Sequence, residues 1–355
     1  MMSEKLPTRV KPREIHPQIG DKSMLKMKVV QISDCLKNPN RTRQSSRNPE
    51  VLRQLLRWSF VATILLFSIQ LSSAEERDIF DYEAQKSAGK EVKKIVFIGD
   101  AGTHGPLGNH EFVAGFMLLS RQLQAAYPNV HCVVHTSKKW PGELSHADAV
   151  IVGLNHGGRA AADAEIFNAV RRGAGFMAVH YGVEVNKGEQ GDNFTQWIGG
   201  YYETSWSVNP WWTPKFESFP EHPVTRGVKP FSVRDEWYYH MRFAGDMKGV
   251  TPILTDLPPL NSAGGNSNAK EAVSQKQPQH MAWAYNRPDG GRGFGFTGLH
   301  AHANLADDGF RTVLLNATAW VAGLEIPKAG VPSKAPSLDE LNELAIEAKA
   351  VREGK

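Results

Sequence analysis

Short apolar segments that alternate with amphipathic ones constrain the fold of this chain most. Residues 93–100 (KKIVFIGD), 130–136, 147–154 and 175–180 each form a short apolar run that ends near a polar or glycine residue. Such runs predict buried strands. The segments between them predict helices, one from the spacing of Phe112, Phe116, Leu119 and Leu123 and another over residues 160–173. The alternation predicts an α/β fold with a doubly wound, mainly parallel sheet.

The alternation is interrupted between residues 197 and 241. This stretch is rich in Trp, Tyr and Pro, and we expect a strand-and-loop insertion there. Beyond it, residues 250–254, 280–285 and 293–299 predict further strands and residues 310–321 a closing helix. Residues 261–277 are polar and rich in Gly, Asn and Ser, which predicts a surface loop.

The N-terminal 74 residues are expected to be a leader. An uncharged run at 58–71 follows two arginines and precedes Ser-Ser-Ala, so residues 51–74 have the three parts of a signal peptide. We therefore expect export to the periplasm or the exterior. An uncleaved membrane anchor is the alternative, and Val51 would begin a signal of ordinary length if it were encoded by a non-standard initiator.

The rest of the chain divides by composition. We expect a linker at 75–92, one domain at 93–326, a second linker at 327–336 and a C-terminal helix at 337–355. Ser337 and Glu340 form a capping-box pattern at the start of that helix. Its apolar positions suggest packing, not chemistry.

Charge argues against nucleic acid as a partner. The leader carries a net charge of +8 and the remaining residues −4, so the basic balance belongs to the leader alone. Outside the leader Cys132 is the single cysteine, which excludes an intrachain disulfide there. Its apolar neighbours predict a buried structural thiol.

Histidines are the strongest chemical signal. His180 ends the strand 175–180 at a small-residue turn, where related folds present a nucleophile. His300 and His302 share one face if their strand continues, whereas a turn after Leu299 would separate them. We predict a divalent metal such as zinc, held by His180, His300 and His302. The alternative is that these imidazoles only bind backbone groups at a polar rim. His104 and His156 also lie at or just after predicted strand ends.

Carboxylates near these histidines supply a fourth ligand or acid–base partners. The candidates are Asp100, Glu111, Glu184 and Asp235. Without a metal, His180 is the predicted base, together with His300, and Glu184 or Asp235 fixes its tautomer. Glu184 lies on the same side as His180 if the turn opens a helix, and is otherwise a solvated carboxylate.

A small anionic or hydroxyl-rich molecule is the predicted ligand. The glycine-rich residues 100–110 allow close backbone approach but lack GxGxxG and GK[ST], so nucleotide binding is disfavoured. Aromatic rings between 201 and 239 are suited to stacking on sugars, although most such clusters are core. The predicted substrate-binding residues are His104, Glu111, Tyr181, Trp206, Tyr239 and His240.

Several ordered motifs resemble the ThuA-like (trehalose utilisation) family, which has the class I glutamine amidotransferase-like fold. They are His104-Gly-Pro with Gly108-Asn-His-Glu-Phe112, Val179-His-Tyr-Gly-Val-Glu184, Trp197 to Trp206, Asp235 to His240 and Gly298-Leu-His300. The resemblance covers about residues 93–326. It implies a flavodoxin-like sheet and a role in the catabolism of trehalose and related disaccharides, with a sugar oxidoreductase that makes 3-keto sugars in the same pathway.

The sequence departs from glutamine amidotransferases at the nucleophile. His180 stands where they have cysteine, and His300-Ala-His302 corresponds loosely to their His-x-Glu, so glutaminase activity is excluded. The favoured hypothesis is a sugar isomerase, lyase or hydrolase acting on a disaccharide or 3-keto sugar. A non-catalytic carbohydrate-binding protein and a metal-dependent hydrolase without sugar preference are the alternatives.

Overall fold

A seven-stranded sheet lies at the centre of the computed structural model, which describes residues 77–86 and 92–354. Its strands are β1 (Lys93–Gly99), β2 (Val130–Thr136), β3 (Ala149–Gly153), β4 (Gly175–Val179), β9 (Val250–Asp256), β10 (Gln279–Asn286) and β11 (Arg292–Phe296). Their order in the sheet is β2-β1-β3-β4-β11-β10-β9. Neighbours from β2 to β11 pair in parallel, and β10 runs antiparallel to both of its neighbours.

Helices cover both faces of the sheet. The helices are α1 (Phe112–Ala126), α2 (Gly158–Ala161), α3 (Ala164–Arg171), α4 (Glu189–Ile198), α5 (Ser267–Ser274), α6 (Asp308–Val321) and α7 (Leu338–Glu353). In β1, Ile95 and Phe97 pack in one apolar cluster with α1, α6 and α7, whereas Val96 and Ile98 pack in a second cluster with α2, α3 and α4. This alternation follows from the two-residue period of a strand buried on both sides. The predicted doubly wound, mainly parallel fold is confirmed.

The aromatic-rich insertion contains four two-residue strands. They are β5 (Gly200–Tyr201), β6 (Trp211–Trp212), β7 (Asp235–Glu236) and β8 (Arg242–Phe243), paired as β5 with β8 and β6 with β7. Most of the aromatic side chains between them are buried, including Trp212, Trp237, Tyr238 and Tyr239. Most of this aromatic cluster is therefore part of the core. Trp211 is the clear exception, at 38 % exposure.

Local boundaries differ from the sequence predictions in three places. The helix expected over 160–173 is two helices, because Asp163 caps α3 by accepting from Ile166 N–H. The expected surface loop 261–277 contains α5, which Asn266 caps and which buries Ala269, Ala272 and Val273. The last strand ends at Phe296, and Leu299 has a φ of +84°. The chain therefore turns before His300, and the inference that His300 and His302 share one strand face does not hold.

The C-terminal helix begins with the predicted capping box at Ser337 and Glu340. Cys132 is buried and has a free thiol, as expected. No described helix has the length and apolar character needed to cross a membrane. The described residues all belong to the unit Glu75–Lys355, and the expected leader 1–74, with its signal peptide, lies outside them.

Candidate functional site

Three histidines and one glutamate converge where the parallel strands end. His110, His180, Glu236 and His300 each offer one ligand atom, and these atoms lie within 4.8 Å of one another. His110 precedes α1, His180 follows β4, Glu236 belongs to β7 and His300 follows β11. The carboxyl edge of a parallel sheet is where such folds bind ligands. We call these four residues the His–Glu group.

His180 has its tautomer fixed by the backbone. Its Nδ1 atom lies 2.8 Å from the carbonyl oxygen of Thr297, so Nδ1 carries the proton and donates it. Nε2 is then left with its lone pair, 3.2 Å from the Tyr238 hydroxyl and 3.5 Å from Oε2 of Glu236. The ring is fully buried and the residue has a φ of +52°. An imidazole held in this way is suited to bind a metal or accept a proton through Nε2.

His110 presents a buried lone pair that the described residues leave unsatisfied. Its Nδ1 donates to the carbonyl oxygen of His104 at 2.9 Å, and its Nε2 has no hydrogen-bond partner in the described part of the chain. Burial, followed by the positive charge of neighbouring histidines, lowers the pKa of His110 to about 3. His110 is therefore a neutral ring whose free acceptor belongs to the His–Glu group, and an unpaired buried acceptor is costly unless something binds it.

Glu236 supplies the negative charge of the group. Burial alone would raise its pKa, but the neighbouring imidazoles of His180 and His300 hold the pKa at about 2. Its Oε2 lies 3.0 Å from Nδ1 of His300 and 3.3 Å from the Tyr238 hydroxyl. Because a Tyr side chain with a pKa raised by burial stays protonated, Tyr238 is a donor here. Glu236 is thus an ionised ligand or proton acceptor.

Asp235, predicted as a catalytic carboxylate, has a different position. It is fully buried and accepts the backbone N–H groups of Leu299 at 2.9 Å and His300 at 3.1 Å. It also accepts from the Asn304 side chain at 2.9 Å. Successive residues of a strand face opposite sides, so Glu236 faces the histidines while Asp235 holds the turn that carries His300. The Asp-Glu pair was the available signal, and the structure places Glu236, not the predicted Asp235, beside the histidines.

The remaining predicted ligands and acid–base residues lie outside the His–Glu group. Glu184 accepts from the Thr204 hydroxyl at 2.7 Å and follows a 3-10 turn, His180–Val183, that ends before it. Asp100 accepts from the Ser137 hydroxyl at 2.7 Å. His302 begins the 3-10 turn His302–Ala306, and burial lowers its pKa to about 4.

Two of the predicted substrate-binding residues adjoin the group. The exposed ring of His104 stacks on His110 with centroids 3.6 Å apart, and its Nδ1 lies 3.1 Å from Oδ1 of Asn155. Tyr181 is half-buried, with its ring edge toward His104 at 6.0 Å. These two residues lie at the mouth of the site.

The other four predicted substrate-binding residues have partners elsewhere. Trp206 and His240 stack on each other at 4.5 Å, and among the described residues neither ring contacts a histidine of the His–Glu group. The hydroxyl of Tyr239 pairs with Ser262 at 2.9 Å. Glu111 is buried and binds Arg352.

Trp211 was missed as a site residue. It pairs with Glu236 across β6 and β7, which places both side chains on one face, and its ring centroid lies 4.5 Å from that of His300. Its neighbour Trp212 pairs with Asp235 and is buried. The Trp-Trp dipeptide was the available signal, and only the register of these short strands shows which ring faces the site.

Comparison with known proteins identifies the family. A family model for ThuA, described as trehalose utilisation, matches residues 110–321, a range that contains the whole His–Glu group. The chain belongs to the ThuA family. This membership gives the protein a role in trehalose utilisation or related carbohydrate metabolism.

Solved structures of similar proteins include a ThuA-like protein from Bacteroides uniformis, which is 17 % identical with a TM-score of 0.44. That match covers 69 % of this chain and 97 % of the other. PurLQS from Thermotoga maritima is 13 % identical with a TM-score of 0.37, over 65 % of this chain and 99 % of the other. The comparison of this ThuA-family chain with curated proteins gives no match.

Proposed function

We propose that the chain is a metal-dependent enzyme that acts on a trehalose-type disaccharide or its 3-keto derivative. The observation that carries the proposal is the buried Nε2 of His110, which lacks a partner among the described residues and belongs to a group with two more imidazoles and a carboxylate. Three imidazoles and one carboxylate suit zinc and other divalent first-row metals.

The donor set fits such an ion in charge as well as in atom type. His110 is held neutral by burial, and Nδ1 of His180 is protonated, so each ring can offer its Nε2 lone pair. Glu236 is ionised and offsets part of the metal charge. A bound divalent ion would polarise a sugar carbonyl or lower the pKa of a bound water.

Acid–base work is then assigned to residues at the mouth of the site. His104 is exposed, and its Nδ1 donates to the side-chain oxygen of Asn155, which leaves Nε2 as a free acceptor. A ketone acidifies the adjacent sugar C–H, so a histidine base can remove that proton. Trp211 offers an apolar ring face beside His300 for the sugar. Isomerisation, elimination and hydrolysis are all compatible with this arrangement.

Export and a pathway partner belong to the same proposal. Export rests on the signal-like residues 51–74, and N-terminal sequencing of the protein from the culture medium or periplasm would test it. A sugar oxidoreductase would supply the 3-keto substrate, which is the class of reaction that forms such a ketone.

The first experiment is elemental analysis of the purified protein beside the variants His110→Ala, Glu236→Gln and His302→Gln. We expect one divalent transition metal per chain in the wild type, loss of that metal in the first two variants and retention in the third. His302→Gln is the matched control because His302 is buried near His300 but lies outside the His–Glu group. A wild-type protein without metal, prepared without chelators, would contradict the metal centre.

Turnover of trehalose and of 3-keto disaccharides is the second experiment. We expect chelator to abolish turnover and added metal to restore it. A metal-loaded protein that binds the sugar without converting it would instead support the non-catalytic alternative.

A further inference from the structure

The C-terminal helix α7 makes a buried ion pair with the residue that follows His110 of the His–Glu group. Nη1 of Arg352, in the last turn of α7, lies 2.6 Å from Oε2 of Glu111, and the two side chains are 8 % and 1 % exposed. Glu111 directly follows His110 in the chain. Helix α7 lies outside residues 110–321, which are the part matched by the family model. The contact is therefore a feature that family membership does not assign.

The backbone at His110 needs support from outside its own helix. His110 has a φ of +54°, a conformation that non-glycine residues rarely adopt unless the surroundings impose it. Glu111 is the residue before α1, and its side chain makes no capping hydrogen bond. The first turn of α1 binds only the carbonyl oxygen of Glu111, which accepts from the N–H of Gly115 at 2.9 Å. Its buried carboxylate is held by Arg352 instead.

The segment that carries His110 is also joined to the segment that carries His300. The N–H of His110 donates to the carbonyl oxygen of His300 at 2.9 Å, and the N–H of His302 donates to that of Gly108 at 2.8 Å. Asn109 and Ala301 form an isolated bridge between these two hydrogen bonds. A shift at Glu111 would thus move two of the three imidazoles together.

We propose that Arg352 is a positioning residue that sets the metal affinity of the His–Glu group through Glu111. This inference rests on the proposed metal centre. Without Arg352, Glu111 is an unpaired buried carboxylate, which is strongly unfavourable, and it gains water only if its backbone moves. That movement displaces His110, the preceding residue, so that its Nε2 no longer points into the His–Glu group.

An ion pair between α1 and α7 provides a matched control. Arg121 in α1 binds Glu347 in α7 at 2.6 Å, with the two side chains 34 % and 44 % exposed. Like the Arg352 pair, this pair connects the region of α1 with α7. It is, however, solvent-exposed, and Arg121 lies nine residues beyond the start of α1. Exposed pairs contribute little to stability.

The experiment titrates Co²⁺ into the metal-free full chain and follows the visible absorption of the bound ion, with urea unfolding of each protein in parallel. We expect Arg352→Met to weaken Co²⁺ binding about tenfold or more, which is the usual effect of losing an outer contact of a metal site. Arg121→Met should stay within about twofold of the wild type. An Arg352→Met protein that is less stable but binds Co²⁺ as tightly as the wild type would overturn the proposal.

A double variant keeps the test decisive if Arg352→Met does not fold. Glu111→Gln with Arg352→Met removes both buried charges, so the fold is expected to recover. The contact that holds residue 111 is still missing, so Co²⁺ binding should remain about tenfold weaker. Wild-type affinity in this folded double variant would contradict a positioning role.

A metal-free measurement separates this inference from the metal centre itself. Nitrogen NMR of the imidazoles reports which ring atom is protonated. In the wild type we expect His110 to be protonated at Nδ1, as its hydrogen bond to His104 requires, and in Arg352→Met we expect a mixture of tautomers. If the wild type takes up no metal, the proposed function is wrong. The positioning role is then decided by this tautomer, and an unchanged His110 signal would overturn it.

Discussion

Nε2 of His180 lies 3.5 Å from Oε2 of Glu236, and the two side chains are 0 % and 16 % exposed. His180 enters from the end of a core strand and Glu236 from a two-residue strand of the insertion, so the site exists only where these two parts of the chain meet. Three backbone positions beside the site are unusual. His110, His180 and Leu299, which precedes His300, all have positive φ values, which the surrounding structure must impose.

Exchanging the two neighbouring acids separately should distinguish a ligand of the metal from a carboxylate that supports the backbone. Glu236→Gln removes the charge that faces the histidines, so we expect metal affinity to fall about a hundredfold or more. Part of the stability at neutral pH should be lost as well, because the lowered pKa of Glu236 supplies it. Asp235→Asn leaves backbone donors of Leu299 and His300 poorly paired, and we expect a loss of about 3 kcal/mol in the free energy of unfolding. Urea unfolding and metal titration measure the two effects. Equal behaviour of the two variants would contradict the assigned roles.

Stability should fall as the pH decreases from 6.5 to about 4. Burial lowers the pKa of His135, His222 and His302 to about 4 and, with neighbouring positive charge, that of His110 to about 3. Each of these groups binds more protons in the unfolded state across that pH range. The free energy of unfolding therefore decreases as the pH drops. For His302 alone, a pKa of about 4 in place of 6.5 corresponds to about 3 kcal/mol.

His302→Gln tests this pH dependence directly. The variant should flatten the decline in unfolding free energy between pH 6.5 and 4, measured by urea titration at each pH. Glu236 adds a separate loss of unfolding free energy below pH 4.5, because its pKa is lowered to about 2 in the folded protein. An unchanged slope in the variant would show that His302 is not buried as a neutral ring.

Trp211→Ala should weaken sugar binding and leave metal binding unchanged. The ring is partly exposed beside His300, so we expect KM for a disaccharide substrate to rise about tenfold while metal content stays the same. Trp206→Ala is the comparison, since Trp206 stacks on His240 instead and should leave KM near the wild-type value. Steady-state kinetics with both variants decides between the two rings, and the reverse pattern would place the sugar at Trp206.

The sequence predicted the sheet because burial on both faces requires continuous apolar strands, and those runs are visible without the structure. It also placed His180 and His300 at the correct edge. It could not predict the left-handed turn at Leu299, because nothing about a leucine indicates a positive φ, and His302 was consequently assigned to the site. Glu236 and Trp211 were missed because the register of two-residue strands comes from tertiary packing, which no short pattern encodes.

Under the proposed function, His104 supplies acid–base chemistry and binds no metal, because it lies at the mouth of the site and outside the His–Glu group. With Nδ1 donating to Asn155, its free Nε2 is placed to accept a proton from a bound sugar. We expect His104→Gln to lower kcat about a hundredfold while the metal content stays at the wild-type level, because general-base catalysis contributes on that scale. Asn155→Ala should lower kcat less, since the base remains but its tautomer is no longer fixed. Metal analysis and the pH profile of kcat measure these effects. Loss of metal in His104→Gln would instead make His104 a support for His110, on which its ring stacks at 3.6 Å.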